Sequence, residues 1–284
     1  MIGSKELASE KETMGTMVEL TSAFEGIASA HIAQIREQVL QSQQFFADLW
    51  RIYSQLRVDG LFRFGREENG KTKVINKELM ILVTSEGSFS GDIDQRLVNE
   101  ALNHYDPAKN AVLIIGHHGA VQLAQKGVAY VRSFKTPEKD MNINTAPIVL
   151  EVQKYRSTVI YYEQYKSLTS QSIQAMRLSK AVMERGQAVA PGEEVIDEST
   201  YIFEPDAYAV VDHLERSMME ITISEVILES KLAQYASRFK AMSVAKSRAN
   251  ETLSDVSLMY NRAKRHEKDE RLKEVLNGLR GAGS

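Results

Sequence analysis

The chain has 284 residues, of which 43% are hydrophobic and 26% charged, with a net charge of −3 and no cysteine. The lack of cysteine excludes disulfides, thiolate catalysis and cysteine-bound metal sites, and the small net charge provides no basic field to attract nucleic acid. No run reaches the about 18 apolar residues of a membrane span, and residues 1–20 lack the apolar core of a secretory signal. We therefore expect membrane contact only through partners.

An apolar heptad pattern predicts a helix near the N-terminus. Residues 27–59 contain no glycine or proline, and the pattern is typical of a coiled-coil helix, which we predict over residues 27–60. Residues 1–26 are predicted to be an N-terminal extension. The residues that recur at steps of four and three are Ala28, Ile32, Ile35, Val39, Ser42, Phe46, Leu49, Tyr53 and Leu56.

A longer heptad pattern predicts a second helix over residues 207–278. No glycine or proline occurs from Ala207 to Asn277, and about 70 helical residues would extend for roughly 105 Å. Glu225 and Lys246 are the polar residues that interrupt the seam. Its other members are Leu214, Met218, Ile221, Leu228, Leu232, Tyr235, Phe239, Met242, Ala249, Leu253, Val256, Tyr260 and Ala263.

Neither helix can bury its apolar stripe alone, so we predict that the two pair as an antiparallel coiled coil. A parallel homodimer is the alternative that heptads alone leave open. Because the C-terminal helix is about twice as long, part of its seam is expected to project and to require another protein.

The middle of the chain, residues 73–205, predicts an α/β domain. Near-continuous apolar strands separated by helices favour a parallel sheet covered on both faces. The predicted fold class is therefore α/β: an antiparallel coiled coil of long N- and C-terminal helices with an inserted Rossmann-like, doubly wound α/β domain. The predicted strands are residues 79–84, 111–115, 129–134 and 158–162, the helices are 92–105 and 120–126, and 184–199 is a polar loop.

One segment matches a phosphate-binding P-loop letter by letter, through Gly65, Gly70, Lys71 and Thr72. A P-loop needs a buried strand before it and a helix after it, and neither is predicted here. Two glutamates inside the loop would also repel a triphosphate. We interpret Gly65–Thr72 as a polar surface turn, and a P-loop NTPase remains the enzymatic alternative.

Two adjacent histidines, His117 and His118, stand between Gly116 and Gly119. Neighbouring side chains rarely point the same way, and no carboxylate stands at ligand spacing beside them, so we predict a strand-to-helix turn rather than a metal site. The sequence also shows no serine, histidine and aspartate grouping, and we predict no catalytic set.

The C-terminal region resembles one known family. Residues 201–206 read Tyr-Ile-Phe-Glu-Pro-Asp and resemble the Tyr-Ile-Tyr-Glu-Pro segment that opens the long C-terminal helix of the gamma subunit of rotary, proton-translocating ATP synthases. Pro205 suits the start of a helix. The positions along the helix that continue the family's pattern are Glu229, Ser230, Arg238, Ala241, Met242, Ala245, Ala249, Leu253, Tyr260, Asn261, Ala263, Glu274, Val275 and Gly278.

The middle of the chain is similar to the same family at Thr84, Ser85 and the Ile-Gly-x-x-Gly turn of residues 115–119. The loop Glu86–Asp92 departs from the family's Asp-Arg-Gly-Leu-Cys-Gly-Gly. Residues 1–60 carry eight acidic and five basic side chains, where the family's N-terminal helix is rich in lysine. The resemblance therefore carries over the fold, but not the contacts of that loop or of those lysines.

The resemblance implies a central-stalk rotor that transmits torque between a proton-driven ring of c subunits and a head of three alpha and three beta subunits, and that docks on epsilon. It implies no cofactor, no catalytic residues in this chain, and a peripheral membrane protein on the cytoplasmic face of a bacterial plasma membrane. A gamma-like scaffold that does not rotate shares this fold and is the alternative. The side chains expected to make the shaft and tip contacts are Arg238, Met242, Ala245, Ala249, Leu253, Val256, Tyr260, Asn261, Glu274 and Val275.

Overall fold

The computed structural model describes residues 3–55, 74–87, 89–137, 143–187, 204 and 207–281. The P-loop-like segment Gly65–Thr72 and most of the motif at residues 201–206 lie outside these residues. The elements are α1 Ser4–Gln55, β1 Ile75–Val83, α2 Ile93–Asn103, β2 Asn110–Ile115, α3 His117–Gln125, β3 Arg132–Phe134, α4 Ala146–Val152, β4 Tyr155–Tyr165, β5 Gln171–Arg177, α5 Leu178–Gln187 and α6 Ala207–Gly281. They form two compact units, residues 1–28 with 239–284 and residues 29–238.

The first unit is an antiparallel pair made by the start of α1 and the end of α6. Three contacts show that the helices run in opposite directions, because residue numbers rise along α1 while those of the contacted residues fall along α6. They are Ser4 Oγ to Glu267 Oε1 at 2.5 Å, Lys11 Nζ at 5.6 Å from the Tyr260 ring, and Glu25 Oε2 to Lys246 Nζ at 3.0 Å. The predicted antiparallel pairing of the two terminal helices is confirmed.

Helix α1 begins much earlier than the sequence suggested. Residues 4–26, predicted as an extension, are helical and continuous with the predicted coiled-coil helix. Gly15 and Gly26 concealed this, since each costs a helix about 1 kcal/mol relative to alanine. Burial of Leu7 and Ala28 against the partner helix offsets that cost.

The second unit contains a five-stranded sheet in the order β3-β2-β1-β4-β5. The first four strands are parallel to their neighbours, and β5 runs antiparallel to β4. The predicted strands and the two predicted helices are all present, with ends shifted by a few residues. The antiparallel β5 and the short helices α4 and α5 were not predicted, and residues 184–187 belong to α5 rather than to the predicted loop.

Both faces of the sheet are covered, as predicted for a doubly wound domain. One face packs against α2 and α3 through alternate strand residues such as Met80 and Leu82. The other face, which carries Leu79 and Ile81, packs against α4, α5 and the parts of α1 and α6 that belong to this unit. Alternation of side chains along each strand sends neighbouring residues to opposite faces, so the strands read as continuous apolar runs.

Candidate functional site

A row of large apolar side chains lies exposed on α1 in the first unit. Met17, Leu20, Phe24 and Ile27 recur at steps of three, four and three, and are between 37% and 51% exposed. They form a second stripe beside the buried positions Leu7, Thr21 and Ala28. A contiguous apolar surface of this kind usually marks a protein interface. Sequence reasoning missed it because residues 1–26 were treated as an extension rather than as helix.

The end of α6 carries further exposed apolar side chains of this unit. Leu272, Val275 and Leu276 are 63%, 61% and 52% exposed. They follow Glu267, which bonds the first residue of α1. The predicted tip residues Glu274 and Val275 lie on this exposed part, and the predicted contact residue Asn261 is also exposed.

Most of the other predicted shaft residues lie within the helix pair. Met242 is 8% exposed and Val256 only 1%, and Ala245, Ala249 and Leu253 are half-buried. We expected Leu253 and Val256 to stand on a projecting surface; for Val256 this is wrong, because α1 begins at Ser4 and pairs with α6 as far as Glu267. Tyr260 is half-buried near two ammonium groups, Lys11 Nζ and Lys264 Nζ, which lie 5.6 and 5.4 Å from its ring centre.

Arg238, the remaining predicted contact residue, belongs to the second unit. Its guanidinium carbon lies 5.3 Å from the centre of the Tyr235 ring. Its Nη2 atom is also next to the loop after β1, where a side chain on Gly87 would come within 3.3 Å of it. Within this chain, the Arg238 guanidinium therefore lies near both Tyr235 of α6 and the loop after β1.

The carboxyl ends of β1 and β4 form the topological switch point of the sheet, because the chain leaves β1 toward β2 on one side and returns to β4 on the other. Open α/β sheets usually bind their ligands in this crevice. Here α6 occupies it: Ser230 Oγ and Gln234 Nε2 each donate to Glu163 Oε2 at 2.8 Å, and Ser237 Oγ donates to the Ser90 carbonyl at 2.6 Å. The usual ligand position is filled by the protein's own helix.

Beside this contact lies a serine, aspartate and histidine cluster that the sequence did not reveal. The Ser85 amide donates to Asp94 Oδ1 at 2.8 Å and its hydroxyl bonds Asp94 Oδ2, while His118 Nδ1 is 3.2 Å from both Ser85 Oγ and Asp94 Oδ2. Our statement that no such grouping exists is wrong, because these residues meet only when the ends of β1, α2 and α3 come together.

The geometry of this cluster is that of a structural network rather than of a nucleophile. A catalytic relay needs serine and aspartate on different ring nitrogens, whereas both contact Nδ1 of His118. Ser85 is also only 1% exposed. The predicted strand-to-helix turn is confirmed, since Gly116 has φ +100° and directly precedes α3.

Within the described residues, no cluster of three histidine or acidic side chains is placed to hold a metal ion, and no helix has the length and hydropathy to cross a bilayer. Burial, reinforced by the charge of Asp94, raises the pKa of Glu163 well above its ordinary value, although bonds from Gln234 and Ser230 act in the opposite direction.

Comparison with known proteins gives one consistent result. The family model described as ATP synthase matches residues 4–281, a range that includes most of the segment predicted as an extension. Among curated proteins, the ATP synthase gamma chain of Chlorobaculum parvum is 26% identical over 283 residues, covering 92% of each chain. That of Cytophaga hutchinsonii is 22% identical and covers 96% of this chain and 97% of its own.

Solved structures show the same fold. A chain of the Euglena gracilis mitochondrial ATP synthase, in a structure of OSCP, F1 and c-ring, superposes with a TM-score of 0.64 at 15% identity, covering 98% of this chain and 95% of that one. A chain from the central stalk and c-ring of the Tetrahymena thermophila mitochondrial enzyme gives a TM-score of 0.55 at 17% identity, covering 80% and 99%.

Proposed function

Because the chain belongs to the ATP synthase family, and its curated relatives are gamma chains, we propose that it is the gamma subunit and central-stalk rotor of such an enzyme. In this role it turns inside a head of three alpha and three beta subunits and docks on epsilon and on the ring of c subunits. It transmits torque between proton flow and ATP synthesis or hydrolysis, and the nucleotide chemistry belongs to its partners.

The observation that carries this proposal is the apolar surface of the two-helix unit. Two helices that bury one shared seam have no need of a second apolar stripe, yet Met17, Leu20 and Ile27 stand exposed on α1, and Leu272 and Val275 on α6. Contiguous apolar surfaces of this kind usually mark a contact with another protein. A ring of subunits that surrounds the helix pair would cover the exposed apolar side chains of both α1 and α6.

The crevice at the carboxyl ends of β1 and β4 supports a non-catalytic role for the second unit. The crevice in which related sheets bind ligands holds α6, through Ser230 and Gln234. The inserted domain would then serve as a mount for the shaft rather than as an enzyme. Since the chain reaches the membrane only through its partners in this proposal, we place it as a peripheral protein on the cytoplasmic face of a bacterial plasma membrane.

The test is assembly of the complex around variants of the shaft. We expect the double variant Leu20→Asp and Ile27→Asp to reduce co-purification of alpha and beta about tenfold or more, because two charges would enter an apolar contact. Ser22→Asp, exposed on the same helix, is the matched control and should assemble as the unmodified chain does. Helix content should be equal in all three, since every changed side chain is exposed.

Wild-type assembly of the double variant would contradict the proposal. A measurement of ATP-driven proton pumping, in membranes that contain the unmodified chain, distinguishes a rotating subunit from a scaffold that does not rotate. A rotor requires pumping to disappear when the chain is removed and to return when it is restored. A scaffold would bring down alpha and beta without affecting coupled pumping.

A further inference from the structure

We propose that Glu163 is held in its neutral, protonated form. In this form its carboxyl group joins α6 to the carboxyl end of β4, and the strength of this attachment depends on pH. The inference concerns the isolated chain and does not depend on the rotor assignment. Glu163 is one of the groups by which the inserted domain holds α6 in the crevice at the ends of β1 and β4.

The two oxygens of Glu163 have different surroundings. Its carboxyl group is fully buried at the end of β4, and Oε2 accepts hydrogen bonds from Ser230 Oγ and Gln234 Nε2, both on α6. The other oxygen, Oε1, is buried with no donor in the described structure. A buried carboxylate is best stabilised when protein donors reach both of its oxygens, so the charged form of Glu163 is poorly stabilised here.

Asp94, on α2, is the neighbouring acid. It already receives the amide and hydroxyl of Ser85 and contacts His118 Nδ1. Two buried carboxyl groups that lie close together cannot both be ionised without a large cost, so they hold a proton between them. The proton belongs on Glu163, because donors reach both oxygens of Asp94 but only one oxygen of Glu163. A protonated Glu163 can then donate to Asp94 while it still accepts from α6.

Among the described residues, the other groups around Glu163 would not offset the charge that it would carry when ionised. On β5 the residue opposite is Ile173, and on α6 the facing side chains are the neutral Ser230 and Gln234. The next residue of α6, Lys231, is directed to the Pro137 carbonyl at 2.7 Å.

On the other elements, His118 from α3 reaches Asp94 rather than Glu163, and Glu86, after β1, accepts the Thr136 amide. Arg238, further along α6, lies over Tyr235. The pKa of Glu163 is accordingly raised, first by burial and then by the charge of Asp94.

The direction of the pH effect follows from linkage. Glu163 has a folded-state pKa above its unfolded value, so the folded chain binds the proton more tightly. Its contribution to stability is complete below the unfolded pKa and is lost as pH rises through the folded pKa. Deprotonation would place a second negative charge beside Asp94 in a buried site, and opening of the contact between α6 and the sheet would let water reach that charge. The bonds from Ser230 and Gln234 favour the ionised form but only partly offset this cost.

The experiment uses the full chain and the variant Glu163→Gln, whose amide can donate to Asp94 and accept from α6 as the neutral acid does. Carbon-13 NMR of the glutamate carboxyls should show a resonance, absent from Glu163→Gln, that titrates above the ordinary glutamate range. Amide exchange over residues 226–238, corrected for intrinsic rates, should accelerate by up to about tenfold per pH unit between the ordinary glutamate pKa and that midpoint, and should level off above it, as expected for one proton. In Glu163→Gln it should not vary with pH.

The exposed Glu100→Gln is the matched control and should behave like the unmodified chain. Asp94→Asn removes the neighbouring charge and should lower the titration midpoint of Glu163. A Glu163 resonance that titrates in the ordinary range would overturn the proposal. So would exchange over residues 226–238 that depends on pH equally in the unmodified chain and in Glu163→Gln.

Discussion

Lys246 Nζ lies 3.0 Å from Glu25 Oε2, so the lysine that interrupts the apolar seam of α6 meets a glutamate at a seam position of α1. Both side chains are half-buried within the first unit. A single polar pair in a coiled-coil seam favours one alignment of the two helices over others, at some cost in stability. The interruption in the sequence pattern is therefore explained by its partner.

A double-mutant cycle should detect this pair. We expect a coupling free energy of about 0.5–1 kcal/mol between Glu25→Gln and Lys246→Met, the range of partly exposed ion pairs. Urea unfolding of the four proteins measures it. The exposed Glu12→Gln, combined with the same lysine variant, should show no coupling. If the effects of Glu25→Gln and Lys246→Met on the unfolding free energy were simply additive, the pair would contribute nothing to stability.

The same pair predicts a loss of stability in acid. The hydrogen bond from Lys246 is the main cause that holds the pKa of Glu25 below its ordinary value. A depressed folded-state pKa means that the contribution is present above the unfolded pKa and lost as pH falls through the folded one. The unfolding free energy of the unmodified chain should therefore decline more steeply in acid than that of Glu25→Gln. Identical acid profiles would be the contrary result.

Charge substitutions should separate the buried seam of α6 from its exposed end. Val256→Asp places a carboxylate at a site that is 1% exposed and should lower the unfolding free energy by about 3 kcal/mol or more. Val275→Asp, at a site that is 61% exposed, should change it by no more than about 0.5 kcal/mol. Urea unfolding followed by circular dichroism compares them, and equal losses would argue against the helix pairing.

Gly116 should be intolerant of any side chain. A Cβ there would lie 2.1 Å from the Thr84 carbonyl oxygen, and φ is +100°. We expect Gly116→Ala to cost about 3 kcal/mol or more. Gly127→Ala is the matched control, since φ is +68° with no atom within 4 Å of the added carbon, and it should cost only about 1 kcal/mol. The difference between their unfolding free energies measures the collision with Thr84, directly after β1, together with the difference in backbone strain between the two sites.

The sequence by itself indicated the α/β class and the two long terminal helices, whereas heptads alone left open whether these helices pair with each other in antiparallel fashion or form a parallel homodimer. Heptad recurrence and short apolar runs are local signals, because each depends only on residues a few positions apart. The paired glycines around the two histidines likewise indicated the turn into α3. Helix α4 escaped prediction because its seven residues are too few to show a helical period, and strand β5 because it is short and mixed in polarity.

Only the tertiary structure decided what surrounds the functional surfaces. The early start of α1 moved Val256 from an expected free surface into a buried seam. Asp94 and Glu163 come together with Ser230 at the sheet edge although they are far apart in sequence. Whether a side chain is covered, and whether a buried carboxyl keeps its proton, depends on which distant segments approach it, and no local pattern carries that information.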